Sequence, residues 1–361
     1  MPKKRVLIAM SGGIDSSVAA ILLQEQGYEL IGVTFRTFDS ISESCMAREK
    51  GCCSMDSIAE ARHLAQRLGF EHHIVDARNL FRETVIRNFI DEYLNCRTPN
   101  PCVLCNPVIK WGRLLEFADE MHCDLLATGH YARLGSHNGR TFLRKGKDLR
   151  KDQTYFLWRL SSEQLQRTLF PLGDLTKPEV RTLAADHGFM QLSQKKESEE
   201  ICFVTDNDYR KFLRSEVPDL KKLSPSGNFV TKDGTVVGRH QGLFHYTIGQ
   251  RKGLGIALGV PTYVVALDKA HNNVVLGTKE DLASTSLFIH DFKLTKYDDF
   301  QDGMSVVCRV RYRSNGVEAR LFHSNGGIRV EFDTPVESVT PGQSAVFYEG
   351  DDLIGGGIIE C

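Results

Sequence analysis

The sequence predicts an α/β protein in three parts: an N-terminal domain on a parallel sheet, a small β-rich central domain and a C-terminal β-barrel. Three observations carry this reading. Up to about residue 135, strand-length apolar runs alternate with helix-period segments, as in a parallel sheet covered on both faces. Ser11-Gly12-Gly13-Ile14-Asp15-Ser16 separates the first strand from the first helix, at a strand's carboxyl end where such sheets gather ligands. After Lys222-Leu-Ser-Pro-Ser-Gly-Asn228 the texture shifts to short alternating runs divided by Gly, Asn, Asp and Pro.

Taken in order, Arg5 to Met10 (RVLIAM) reads as a buried strand. Asp15 opens a helix with Val18, Ile21 and Leu22 on one face and Gly27 as its stop. Strands follow at 29–35, 72–75 and 124–128, with helices at 56–68, 79–95 and 108–121. Residues 36–55 form a polar, cysteine-bearing loop, and a loop of that length is more often functional or mobile than packed. Helical signals continue at 162–168, at 177–187 with Pro178 in the first turn, and at 208–213. The β-runs are 228–231, 262–266, 273–276, 306–312, 328–332 and 344–348. Domain boundaries are expected at 1–207, 208–283 and 284–361.

A length of 361 residues suits two or three domains, and 41% hydrophobic with 25% charged residues is ordinary globular composition. The net charge of −1 excludes a global basic field, so any nucleic-acid binding rests on local patches. The apolar run in MPKKRVLIAM is too short for a signal peptide, and no stretch reaches the ~20 apolar residues of a membrane span. A cytoplasmic protein without a membrane partner is expected. Ten irregularly spaced cysteines do not form a secreted disulfide framework and point to metal or redox chemistry at a subset. Cys123 and Cys308 lie in apolar segments and read as core.

Chemistry concentrates in three places. In SGGIDS the glycines let backbone N–H groups face an anion, and the following helix N-terminus adds positive potential. No Gly-Lys-Ser/Thr follows, so this is not a Walker A loop. The unit resembles the pyrophosphate-binding (PP) loop of enzymes that adenylate a substrate; a merely N-capped serine turn is the bland alternative. The second place is Arg97-Thr-Pro-Asn-Pro-Cys-Val-Leu-Cys-Asn106. Pro99 and Pro101 are expected to prevent a continuous helix, leaving Cys102 and Cys105 in a rigid loop before a helix from Val108. There the helix dipole would give the thiols thiolate character. C-x2-C is also half of a zinc site, but no second pair is evident. The third is Cys202 in Glu197-Ser-Glu-Glu-Ile-Cys-Phe-Val204, which alone reads as a buried thiol.

SGGIDSSVAA, TPNPCVLCN, ATGHYAR, KDQTYFL, ICF, HQGLFHYTIGQRKGLGI and TPGQSAVFY occur in that order. Together they resemble the tRNA-specific 2-thiouridylases, which place sulfur on C2 of the wobble uridine, and the resemblance spans the chain. It implies that Ala9, Met10, Ser11, Gly12, Gly13, Ile14, Asp15 and Ser16 hold ATP, with Phe35, Gly129 and Mg²⁺ completing the pocket. Uridine O2 would attack the α-phosphate and release pyrophosphate. Cys202 would carry sulfur as a persulfide, and Cys105 would be the second catalytic thiol. Either the persulfide attacks C2, or Cys105 frees hydrosulfide by forming a disulfide with Cys202. The sulfur would come from a cysteine desulfurase or a persulfide carrier protein.

The resemblance also places Asn100, Pro101 and Cys102 at the target base. It puts Lys151, Asp152, Gln153, Arg311 and Tyr312 against tRNA, with His130 and Gln343 as further contacts. Basic segments at 144–151 and 239–252 agree, as do Arg309, Arg311 and Arg313, expected on one face of a strand. Many relatives carry Asp where this chain has Cys102. Cys102, Cys105 and Cys202 could hold a [4Fe–4S] cluster presenting hydrosulfide, an alternative route to the same product. Cys52 and Cys53, on a polar loop, read as incidental, with sulfur relay as the alternative. Two rival classes are a small-molecule adenylating enzyme, such as an amidotransferase synthetase, and a non-catalytic metal- or RNA-binding module. The first leaves the paired cysteines and β-domains unexplained; the second leaves SGGIDS without a purpose.

Overall fold

The computed structural model describes residues 3–38, 55–194, 201–204 and 208–360. Most of the cysteine-bearing loop, with Cys45, Cys52 and Cys53, lies outside them, as do Cys361 and the expected boundary at residue 207.

The first part is built on β1 (Arg5–Ala9), β2 (Glu29–Arg36), β3 (Glu71–Asp76) and β4 (Leu125–Ala127). A hairpin, β5 (Ala132–His137) and β6 (Arg140–Lys145), and the short β7 (Thr168–Leu169) follow. Strands order as β3-β2-β1-β4-β7, all parallel. Alternation in β1 sends Val6 and Ile8 to one face and Leu7 to the other. Val6 and Ile8 pack with helices Ile14–Glu25, Met55–Leu68 and Lys177–Asp186 through Val18, Leu64 and Val180. Leu7 packs on the opposite side with Trp111, Leu114 and Trp158. The expected sheet covered on both faces is thus present, and Cys123 and Cys308 are buried as expected.

The second part is a four-stranded sheet of β8 (Gly227–Thr231), β9 (Val236–His240), β10 (Tyr263–Asp268) and β11 (Asn273–Gly277), ordered β10-β11-β8-β9. The third comprises β12 (Ala283–Leu294), β13 (Met304–Arg309), β14 (Val317–Ser324), β15 (Gly327–Glu337), β16 (Ser344–Glu349) and β17 (Asp352–Glu360). Because β12 pairs with both β15 and β17, these strands close into a barrel.

Three local expectations need correction. Pro101 does not break the helix: Pro101–Cys105 is helical, with Asn100 as N-cap and proline in the first turn, where its missing N–H costs nothing. The chain runs on through a π-helical stretch, Asn106–Arg113, into Leu114–Glu120, and the wider turn accommodates Pro107. The strand expected at 306–312 stops at Arg309. Residues beyond it turn, with Ser314 N–H donating to Arg311 O (3.1 Å) and Arg309 Nε to Ser314 O (2.9 Å). Arg309, Arg311 and Arg313 therefore do not share a strand face. The β5–β6 hairpin was not expected; its partner is distant, as β6 pairs with β17 at Arg144 and Asp352. It carries the barrel against the first domain. There Trp158 Nε1 donates to Ser344 Oγ (3.0 Å) and Tyr155 O–H to Ser344 O (2.9 Å).

Candidate active site

The Ser11–Ser16 loop is a tight backbone structure. Gly12 has φ +65°, and a Cβ there would sit 2.1 Å from Ser57 O. Gly13 caps the helix in extended conformation, with no side-chain cap occupying the first turn. Ser16 Oγ accepts from Ser11 N–H (3.1 Å) and donates to Gly13 O (3.1 Å), folding the loop onto the helix start. A helix start so arranged, with no side-chain cap, can receive an anion at its first-turn N–H groups. Gly129 closes one side: a Cβ there would lie 2.7 Å from Ser16 N. Met10 and Ile14 are buried beneath the loop. Asp15 turns sideways, its Oδ1 accepting from Tyr131 O–H (2.8 Å) and its two oxygens from Lys177 Nζ (2.7 and 2.9 Å). Sequence reasoning missed Lys177, which lies 162 residues from Asp15, and gave Tyr131 no role.

The thiols lie on the other side of β2. Cys105 and Cys202 both pack against the aromatic cluster of Phe81, Phe89 and Phe203, and Phe35 at the end of β2 packs there too. Phe203 is buried edge-on to Phe89 with ring centroids 5.1 Å apart, so it anchors the neighbouring Cys202. Phe35 also touches the core on the Leu7 side, so β2 packs against both clusters. Cys102 is not in this cluster. It reaches solvent at one edge, yet the protein around it pushes its thiol up, against the pull of Lys110. Among the described residues no disulfide forms, and no three His, Cys, Asp or Glu side chains converge as metal ligands.

The loop before Pro101 is pinned from the barrel. Gln343 Nε2 donates to Thr98 O (2.8 Å) and Pro99 O (3.2 Å), and Thr98 N–H donates to Pro341 O (2.8 Å). Gln343 thus sets the position of Asn100. His130 shares a hydrogen bond between Nδ1 and Thr128 Oγ1 (2.9 Å) and tilts against Trp111; burial, then Lys110, hold it neutral. Arg311 donates to Ser338 O (2.8 Å) and Thr340 Oγ1 (3.0 Å), and Tyr312 leans on Phe156 with centroids 4.4 Å apart.

Asp152 departs from its expected role at the RNA. It is 2% exposed and accepts from Gly146 N–H, Thr154 N–H and Thr154 Oγ1, with Arg309 3.5 Å away. Burial pushes its carboxyl up. A carboxylate so engaged braces the 146–154 segment from inside. Gln153 exchanges two bonds with the Tyr131 backbone, accepting from its N–H (2.9 Å) and donating its own N–H to its carbonyl (3.0 Å). The basic run around Lys151 is partly matched internally: Lys147 pairs with Glu179 (3.0 Å), Arg144 with Asp352 (2.7 Å), and Lys145 Nζ donates to Gly350 O (2.8 Å).

Family comparisons agree with this architecture. A model described as tRNA methyl transferase HUP domain matches residues 4–206. The tRNA methyl transferase PRC-barrel domain matches 210–278, and the aminomethyltransferase beta-barrel domain matches 284–359. A tRNA-specific 2-thiouridylase MnmA of Amoebophilus asiaticus is 52% identical over 100% of this chain and 96% of its own. That of Cytophaga hutchinsonii is 51% identical over 99% of this chain and 98% of its own, and that of Halothermothrix orenii is 48% identical over 99% of both. Motif order, fold and full-length identity converge, and the chain belongs to the tRNA-specific 2-thiouridylase family.

Proposed function

We propose that this enzyme is an ATP-dependent tRNA sulfurtransferase that converts the wobble uridine to 2-thiouridine through a cysteine persulfide. The observation that carries this is that Cys105 and Cys202 border one hydrophobic cluster, with Phe35 of β2 packed against both that cluster and the core around Leu7. A thiol pair suits sulfur transfer, since one thiol can carry sulfane sulfur and the other can release it by exchange.

In the first half-reaction uridine O2 attacks the α-phosphate and pyrophosphate departs. The helix N-terminal N–H groups stabilise the charge developing on the departing phosphates. Mg²⁺, when it accompanies ATP, neutralises phosphate charge. Asp15 does not fit direct ligation of it, since both oxygens are held by Lys177. In the second half-reaction the terminal sulfur of the Cys202 persulfide reaches C2 and AMP leaves with the former O2. The persulfide itself attacks, and Cys105 then cleaves the S–S bond to Cys202; or Cys105 first expels hydrosulfide, which attacks. Both routes leave a Cys105–Cys202 disulfide that an external thiol reduces. A persulfide-bearing protein, a cysteine desulfurase or a carrier, reloads Cys202. Asn100, Pro101 and Cys102 face the target base, while Lys151, Arg311 and Tyr312 hold the tRNA.

An iron–sulfur cluster finds no support, because among the described residues no three His, Cys, Asp or Glu side chains converge as metal ligands. Cys102→Asp is therefore expected to support 2-thiouridine formation in protein shown to be iron-free. Inactivity of iron-free native enzyme with a competent persulfide donor would contradict this. Adenylation is tested by ATP–pyrophosphate exchange, expected only with tRNA carrying an unmodified wobble uridine. Equal exchange without tRNA would point to a small-molecule substrate.

A further inference from the structure

Lys177 is a charged residue 6% exposed in the core, and the chemistry above does not use it. It begins helix Lys177–Asp186, after Thr176 and Glu179 close a reciprocal capping box. Its ammonium binds both oxygens of Asp15 and lies 5.7 Å from the centre of the Tyr131 ring, whose hydroxyl also donates to Asp15. Asp15 is a negative charge in the first turn of the helix meant to receive a triphosphate. Unneutralised, it would repel the nucleotide at close range.

Both partners of Asp15 are held in turn by residues 146–153. Asp148 Oδ2 accepts from Lys177 N–H (3.0 Å), Lys147 Nζ grips Glu179 (3.0 Å), and Lys147 N–H donates to Gly173 O (2.8 Å). At the far end of the segment Gln153 makes its two bonds to the Tyr131 backbone. Two arms thus run from one segment to one carboxylate, through Asp148 and Lys177 on one side and Gln153 and Tyr131 on the other.

We propose that Lys177 and Tyr131 are positioning residues of the nucleotide loop and that, through Asp148 and Gln153, they make ATP and tRNA bind cooperatively. The inference rests on the reading of Lys151, between these two arms, as a tRNA contact. tRNA that grips this segment holds Lys177 and Tyr131 in the arrangement already present on Asp15, so the loop meets ATP with less freedom to lose; by linkage ATP tightens tRNA equally.

The test titrates the full-length protein with α,β-methylene ATP, with and without unmodified tRNA. In native protein, tRNA is expected to tighten the analogue about tenfold. Lys177→Met should weaken the analogue about tenfold or more and remove the tightening, and Lys177→Arg, which keeps the charge, should restore most of both. Asp148→Ala removes the acceptor of the Lys177 and Arg150 N–H groups while leaving the ion pair. It should lower the tightening below about threefold. No tightening in native protein, native tightening in Asp148→Ala, or unchanged analogue affinity in Lys177→Met overturns the proposal. Native protein that binds neither analogue nor tRNA would overturn the functional reading instead.

Discussion

Replacing Cys202 by serine is expected to lower 2-thiouridine formation by about 10³-fold or more, because serine keeps the volume and a donor but cannot carry sulfane sulfur. Stability should change little. Cys202 is half-buried at the margin of the aromatic cluster, and Phe203, which is fully packed, holds the segment. ATP and tRNA affinities should stay within about threefold of native, since the side chain contributes to neither binding surface. Nucleoside mass spectrometry of the product tRNA checks this. Appreciable thiolation by the serine enzyme would reject Cys202 as the sulfur carrier.

Gly12→Val should abolish adenylation. The native φ of +65° costs a β-branched residue roughly 1–3 kcal/mol. A Cβ 2.1 Å from Ser57 O also forces the loop or helix Met55–Leu68 to move. Either displacement tilts the first-turn N–H groups away from the phosphates. Affinity for an ATP analogue should fall about 100-fold, with some loss of thermal stability and tRNA binding nearly native. The clash is with the protein's own backbone, so Gly12→Ala should fail in the same direction. Unchanged ATP affinity in either variant would show that the phosphates bind elsewhere.

These effects arise where local sequence and fold agree. RVLIAM, the two glycines and the apolar stripe through Val18 made the first strand–loop–helix readable, since each depends on near neighbours. The barrel's alternating strands were readable for the same reason. The misreadings were non-local or positional. β5 and β6 complete a sheet whose other strands lie about 200 residues later, so no local period could announce their partner. Pro101 was read as a breaker because proline usually is one; at a helix's first turn it is an opener. Asp152 sits in a polar run that suggests a surface, yet Gly146, Thr154 and Arg309 internalise its charge. Lys177 carried no signal beyond its capping box, because its partner Asp15 is at the other end of the domain.

The site has the same division. The nucleotide loop and the thiols were legible as motifs. What holds them in register was not: Gln343 on the Thr98 and Pro99 carbonyls, Phe203 beside Cys202, and Tyr131 and Lys177 on Asp15. These contacts join segments that only the folded topology brings together.

The most direct test of the account loads the enzyme with radiolabelled sulfane sulfur on Cys202, removes the donor and follows a single turnover with tRNA carrying an unmodified wobble uridine. With ATP, label should leave Cys202 and appear on C2 of that uridine, with one pyrophosphate released per sulfur transferred and a Cys105–Cys202 disulfide left behind. Without ATP, label should stay on the protein. Transfer to tRNA in the absence of ATP, or pyrophosphate release with the label still on Cys202 and thiolation complete, would contradict it.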